Sequence, residues 1–314
     1  MKKLVSLLSL ILTLFVLTAC AKNTSSPTTK SETSISSMPE IDGITYYGAI
    51  PENPQKVLNF AYSYTGHLLK LGVDVSSYSL DLEKNNPAFG DQLTKARQLT
   101  TADTEAIAAE EPDLIIVFAG SEELNTLKDI APVIEITYGK RNHLEMLGDL
   151  GQIFGKEEKA KDWLTQWEQS LETARQELAP LLTKETTFTV LDFFDKGIYT
   201  YGREFGRGSE LIFQSLGYAA PERVVKDVFE KDGWLSISQE VIGDYIGDYA
   251  IINVNAKAKE AAAALKESDV WKNIPAVQAG HAIEVDYDLF YFADPLSLEQ
   301  QLKAFVAAIQ AAHP

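Results

Sequence analysis

The turn Gly202-Arg203-Glu204-Phe205-Gly206-Arg207-Gly208-Ser209 carries the most pointed chemistry in this 314-residue chain. The Arg207 guanidinium is planar, stays charged at any relevant pH and offers several donors in fixed directions, so one side chain can address two or more ligand oxygens at once. Gly206 and Gly208 give the backbone freedom to turn closely beneath a bulky ligand, and Ser209 is placed to cap a following helix. An arginine paired with a surface acid in a tight turn fits the same residues. Upstream, Tyr199 and Tyr201 flank Thr200 in an extended run, so both rings point to one side, toward either cleft or core, and their hydroxyls favour a wet edge. Tyr138, just after Val133 to Thr137, and Phe290-Tyr291-Phe292, just before Ala293-Asp294-Pro295, add aromatic surface. Three consecutive aromatics cannot all face one core, which leaves at least one for a ligand; core packing is the alternative for each ring. Tyr62 and Tyr64 are weaker candidates because no distinctive motif surrounds them.

Catalytic patterns are missing. The chain has one cysteine, Cys20, and no Gly-x-Ser-x-Gly elbow, glycine-rich phosphate loop or His-Glu-x-x-His motif. His67, His143, His281 and His313 are scattered along the sequence, which argues against a zinc or manganese centre built from protein ligands alone. The expectation is a protein that is not an enzyme, carries no cofactor and makes no direct bond to a metal.

The elements that must position these residues begin with a targeting segment. Lys2 and Lys3, an apolar run from Leu4 to Val16 and Leu17-Thr18-Ala19-Cys20 read as a signal peptide over residues 1–19 with a cysteine directly after the cleavage point, marked for lipid attachment. The run is too short for a comfortable transmembrane helix of about 20 residues. Residues 20–40 are dominated by Ser and Thr and read as the lipidated cysteine and a flexible tether. Loss of residues 1–19 removes two of the 28 basic residues and none of the 45 acids, for a net charge of −19, so the body will not seek nucleic acid or anionic lipid by charge.

Beyond the tether, short apolar strands alternate with helices. Strands are expected at Val57 to Phe60, Val73 to Val75, Leu114 to Phe118, Val133 to Thr137, Phe188 to Phe194, Ile198 to Tyr201 and Tyr249 to Val254; helices are expected at Tyr64 to Leu71, Asp103 to Glu111, about Ser209 to Leu216 and about Ser297 to Ala312. One long amphipathic helix, from Glu157 to about Leu182, puts Ala160, Trp163, Leu164, Trp167, Leu171, Ala174 and Leu178 on one stripe. The expected fold is α/β: an N-terminal lobe over 41–152, a bridging helix over 153–183 and a C-terminal lobe over 184–314, with a ligand cleft between the lobes.

Four stretches carry a resemblance. Asn53-Pro54-Gln55-Lys56-Val57, Glu105-Ala106-Ile107-Ala108-Ala109-Glu110-Glu111-Pro112-Asp113-Leu114-Ile115-Ile116, Ile130-Ala131-Pro132-Val133-Ile134 and Val270-Trp271-Lys272-Asn273-Ile274-Pro275-Ala276-Val277-Gln278-Ala279-Gly280 look like the signposts of periplasmic-binding-type proteins for iron siderophores, haem and cobalamin. Ile198 to Ser209 resembles the ligand strand and turn of the ferric hydroxamate-binding lipoproteins of Gram-positive bacteria. The resemblance implies two α/β lobes joined by a rigid helix, a shallow cleft holding a ferric hydroxamate, and delivery for iron uptake to an ABC permease dimer with a cytoplasmic ATPase. It implies that Phe205, where relatives more often carry tryptophan, lies against the siderophore and that Arg207 donates to the oxygens around iron, so the siderophore, not the protein, holds the metal. It further implies ligand contacts by Tyr138, Tyr199, Tyr201, Phe290, Tyr291 and Phe292, and permease docking by Glu105 and Glu240, one per lobe. The implied protein is a monomer, lipid-anchored through Cys20 on the outer face of the cell membrane. Haem or a ferric catecholate is the alternative ligand; a catecholate would call for a cluster of basic residues, and this chain offers mainly Arg207 with Arg203 nearby.

Overall fold

The computed structural model describes Met38 to His313; the signal segment, Cys20 and the tether up to Ser37 lie outside the described residues. Before the long helix come β1 (Ile44–Tyr47), β2 (Val57–Asn59), β3 (Ser77–Tyr78), β4 (Arg97–Gln98), β5 (Leu114–Phe118) and β6 (Val133–Ile136). After it come β7 (Phe188–Phe194), β8 (Gly197–Tyr201), β9 (Trp234–Ile237), β10 (Tyr249–Val254) and β11 (Ala282–Glu284). The first sheet has the order β1-β6-β5-β2 and the second β11-β10-β7-β8-β9; β3 and β4 form a separate pair. β2, β5 and β6 run parallel with β1 antiparallel at one edge; β11, β10 and β7 run parallel, β8 runs antiparallel to β7, and the edge strand β9 runs antiparallel to β8.

The apolar strands read as unbroken runs because both faces of each sheet are covered. Leu114 and Ile116 of β5 pack into a central core, whereas Ile115 and Val117 pack into a second cluster beneath Ile107 and Leu127. β10 repeats the division, with Tyr249 and Ile251 in the central core and Ala250, Ile252 and Val254 on the opposite side. The central core therefore reaches both sheets.

The long helix, Glu157–Leu178, supplies its middle: Ala160, Trp163, Trp167, Leu171, Ala174 and Leu178 are all buried there. Glu157 and Glu158 in its first turn and Arg175 in its last suit the helix dipole. It ends four residues earlier than the pattern suggests: Ala179 still has helical backbone, but Pro180 has no N–H to donate back into the helix and its ring crowds the preceding turn. The terminal helix Pro295–Ala311, capped by the Asp294 carboxylate, packs on both the long helix and the first-half helix Thr65–Leu71. Its Glu299 accepts from Lys70 Nζ at 2.6 Å and from Trp163 Nε1 at 2.5 Å. The long helix bridges the halves as the sequence pointed to, and the terminal helix packs alongside it.

The sequence reading names no strand at β1, β3, β4 or β11, and it departs from the structure at further points. Val73 to Val75 makes only an isolated bridge to Val57. The segment expected as a helix from Ser209 is a wider π-type helix, Glu210–Ser215. β9 was not anticipated, since Trp234 and Ser236 lie exposed on an edge strand and give no apolar signal. Neither was the helix His143–Ile153, although Asn142 and Glu145 form a capping box at its start.

Candidate functional site

The central faces of the strands lead directly to the site. On β5 the inward series Leu114, Ile116 continues to Phe118; on β6 the series Ile134, Ile136 continues to Tyr138. On β7 Phe188 and Val190 are followed by Asp192, and on β10 Tyr249 and Ile251 are followed by Asn253. At the carboxyl ends of the parallel strands the apolar layer gives way to polar and aromatic groups, the usual place for a ligand in open α/β sheets. A cavity of about 240 Å³ opens there, lined by Tyr62, Ser63, Phe118 and Tyr138 from the first half and by Phe205, Arg207 and Tyr291 from the second. A smaller hollow of about 80 Å³ shares Tyr138, Phe205, Arg207 and Tyr291 as walls and reaches His67, His143 and Glu210.

The turn after β8 holds four consecutive residues in left-handed backbone: Phe205 at φ 84°, Gly206 at 72°, Arg207 at 61° and Gly208 at 90°. Two of these are not glycine, so the turn stores conformational cost that its surroundings must offset. Gly206 is required twice over, because a Cβ there would lie 1.9 Å from the Tyr291 carbonyl oxygen. Its N–H donates to both oxygens of the Glu210 carboxylate at 3.0 Å. The Asn253 amide donates to the Arg207 carbonyl oxygen at 3.1 Å, fixing the turn from β10. Ser209 does not cap the helix: its backbone is already helical, and its buried hydroxyl has no partner among the described residues. Glu210 takes the capping work by reaching back to Gly206.

Arg207 is held on all sides. Nε donates to Asp192 Oδ2 at 3.0 Å and Nη1 to the Phe205 carbonyl oxygen at 2.8 Å. The guanidinium carbon lies 3.9 Å from the centre of the Tyr291 ring and 5.0 Å from that of Tyr201. Its other N–H groups have no protein acceptor among the described residues, on a side chain that is 14% exposed and lines the cavity. The partner acid is therefore a fully buried strand residue, not the surface acid that a tight turn would supply. Burial pushes the Asp192 carboxyl upward, and the Arg207 charge and hydrogen bond oppose that. Burial also pushes Glu210 up to about 7, against the pull of the Gly206 N–H.

The aromatic candidates separate. Tyr138 is half exposed, and its ring centre lies 6.4 Å from that of Phe205, across the cleft. Phe205 is also 6.1 Å from Tyr201. Tyr199 and Tyr201 do share a face of β8, but the Tyr201 hydroxyl turns inward to Asp192 Oδ2 at 3.3 Å instead of seeking a wet edge. Tyr199 sits farther along the strand against Trp234 and outside both hollows. Of the three consecutive aromatics, Tyr291 stands in the cleft. Phe290 is 1% exposed and packs beneath Gly208, away from the cleft, and Phe292 is 4% exposed, stacks on Phe89 and borders only the smaller hollow. The helical turn Tyr287–Phe290 carries helical backbone into Tyr291, so the successive Phe290 and Tyr291 side chains point in different directions.

Sequence reasoning missed Asp192, Asn253, Glu210 and Phe118. Asp192 and Asn253 had a usable signal: Asp192 is the one charged residue of β7 and Asn253 the one amide of β10, both in mainly apolar strands, and an acid is buried only with a partner. The histidines, scattered in sequence, pair in space. His67 Nε2 lies 2.9 Å from the His143 carbonyl oxygen, and the His281 and His313 rings are 5.5 Å apart. Burial pushes His67 down to about 4 and His143 to about 3, so both are neutral at ordinary pH. No cluster of three or more potential metal ligands occurs among the described residues. Glu105 and Glu240 are exposed, one in each half, each in the first turn of a short helix.

A family model for periplasmic binding proteins matches residues 59–289, and the chain belongs to that family. It is 29% identical over 310 residues to the iron(3+)-hydroxamate-binding protein FhuD of Bacillus subtilis (strain 168), with 96% of each chain covered. It is 30% identical over 315 residues to the iron(3+)-hydroxamate-binding protein YxeB of the same organism, covering 96% of this chain and 95% of the other. The structure of FhuD2 from Staphylococcus aureus with bound ferrioxamine B matches with a TM-score of 0.76 at 30% identity, over 82% of this chain and 99% of that one.

Proposed function

We propose that this protein captures ferric hydroxamate siderophores in the cleft and delivers them to an ABC importer for iron uptake, with no catalytic step. The observation that carries the reading is Arg207: a guanidinium clamped between two tyrosine rings, with donors left over, facing a cavity walled by aromatics from both halves. A ferric tris-hydroxamate presents a compact set of oxygens that a rigid fork of N–H groups can address, wrapped in apolar chain that aromatic rings can contact. Arg207, Phe205, Tyr138 and Tyr291 form this ligand surface; Tyr201 holds Arg207 in place from one side, Tyr199 lies farther along the strand, and Phe290 and Phe292 support it from behind. The names of the relatives agree with this ligand class.

Glu105 and Glu240 dock on the permease dimer, whose ATPase lies on the cytoplasmic side, and the monomeric protein is held at the outer face of the cell membrane by a lipid on Cys20. The functional test is a titration of the soluble domain, followed by tryptophan fluorescence, with ferric hydroxamates, ferric catecholates, haem and cobalamin. Tightest binding is expected for a hydroxamate. Preference for haem or a catecholate would overturn the reading.

A further inference from the structure

Arg207 is the one charged side chain lining the larger cavity, and its charge is already answered from behind. Asp192, 0% exposed on β7, meets the guanidinium at 3.0 Å. Apart from that contact the carboxylate accepts a hydrogen bond only from the Tyr201 hydroxyl among the described residues, and its other oxygen, Oδ1, has no hydrogen-bond partner there. A carboxylate that merely tied strands together would have both oxygens capped; this one is committed to the arginine. Among the other ionisable groups around it, the Tyr201, Tyr287 and Tyr291 hydroxyls, Glu210 beneath Gly206 and Glu204 beside the smaller hollow add no positive charge. Arg141, which also lines the smaller hollow, is answered by Asp149 at 2.6 Å, and burial keeps His67 and His143 there neutral. Arg203, the other basic residue of the turn, lies over the Phe229 ring and lines neither hollow.

We propose that Asp192 sets the charge selectivity of the cleft: by cancelling Arg207 inside the protein, it leaves a donor-rich surface without net positive charge, suited to uncharged ferric complexes and adverse to multiply anionic ones. The inference rests on the siderophore reading above and narrows its substrate class. Three hydroxamates, each giving up one proton, cancel the charge of ferric iron, whereas three catecholates, each giving up two, leave a trianion. An uncharged complex needs directed donors and no counter-charge. A trianion needs counter-charge, and without it pays the desolvation of its own.

The test compares the unmodified protein with Asp192→Asn, which keeps shape and an acceptor for Nε while releasing the arginine charge. Affinity for a ferric tricatecholate should rise on the order of tenfold or more, with a ferric trihydroxamate changed by less than about threefold. Asp192→Asn combined with Arg207→Gln, neutral again, should lose the catecholate gain. Equal losses for both ligands, or no catecholate gain, would reduce Asp192 to a structural support and overturn the proposal while leaving the hydroxamate function standing. If the unmodified protein itself prefers the tricatecholate, the functional reading fails instead. Should Asp192→Asn not fold, the unmodified protein still decides the matter through ferric trihydroxamates with a cationic, neutral or anionic pendant arm. Affinity that does not rise with anionic charge supports the proposal, and affinity that climbs with it overturns the proposal.

Discussion

Arg207 satisfies two acceptors inside the protein before any ligand arrives, so removing it has two consequences that can be measured apart. Arg207→Ala strands the Asp192 carboxylate in the interior, and an orphaned buried charge costs about 3 to 5 kcal/mol. It also removes hydrogen bonds to ligand oxygens worth about 1.5 to 3 kcal/mol, which weakens hydroxamate binding on the order of 10- to 150-fold. Arg207→Lys should recover most of the stability, because an ammonium still answers Asp192, but little of the affinity, because the planar fork is gone. Denaturant titration reads the first effect and tryptophan fluorescence the second; unaltered affinity in a folded Arg207→Ala protein would sink the ligand assignment. Glu210 gives a second residue-scale prediction. Its carboxyl titrates near 7 in the fold against an ordinary 4.5, so between those values the unfolded chain has released a proton that the native state keeps. Stability therefore falls as pH rises through that window, by up to about 3 kcal/mol, and levels off above it. Glu210→Gln carries no charge and escapes the penalty while still accepting from Gly206. Its stability advantage over the unmodified protein should widen between about pH 5 and pH 8, and a constant difference would count against a perturbed Glu210.

The elements explain which parts of the site could be read in advance. Leu114 to Phe118, Phe188 to Phe194 and Tyr249 to Val254 form strands with the boundaries their apolar runs suggested, since burial on both faces is itself a compositional signal. Tyr138 and Tyr291 were legible as aromatics near strand ends and loops. Arg207 was legible as a type, but its partner was not: the Asp192–Arg207 pair depends on β7 pairing with β8 and on four left-handed residues in succession, neither of which is a local property. The inward turn of Phe290 likewise depends on packing under Gly208. The long helix was the most legible element, and its length was overestimated only where Pro180 stopped it. Because its buried stripe lies in the same core as both sheets, cutting that stripe should weaken the whole and not one half. Leu171→Ala, at a position 2% exposed, should cost about 2 to 5 kcal/mol and leave a single cooperative transition. Two separate transitions by calorimetry would show that the halves are energetically independent.

At the scale of the molecule, function requires two surfaces that do not interfere. The ligand surface we assign is concave, aromatic and built from strand ends, with the one charged side chain that lines it, Arg207, paired to a buried acid. The docking surface we assign is made of exposed carboxylates on a chain whose formal net charge is −17, so it must work by position and not by charge excess alone. Glu105 and Glu240 suit such a role: each projects from the first turn of a short helix, one beside each sheet, and neither makes an ion pair with the described residues. The Ser238 hydroxyl holds the Glu240 carboxyl below its ordinary range, which keeps it ionised for a basic partner. Neither glutamate lines the cleft. A matched pair of charges spaced across both halves would fix register and orientation on a two-fold permease, and reversing both would place like charges against the partner's basic residues. Glu105→Lys combined with Glu240→Lys should therefore abolish ferric hydroxamate uptake by whole cells while the dissociation constant of the isolated protein for the same ligand stays unchanged. Uptake that persists in the double variant would dismiss these residues as the docking pair, and a weakened ligand affinity would mean that the substitutions act through the fold instead of through the permease.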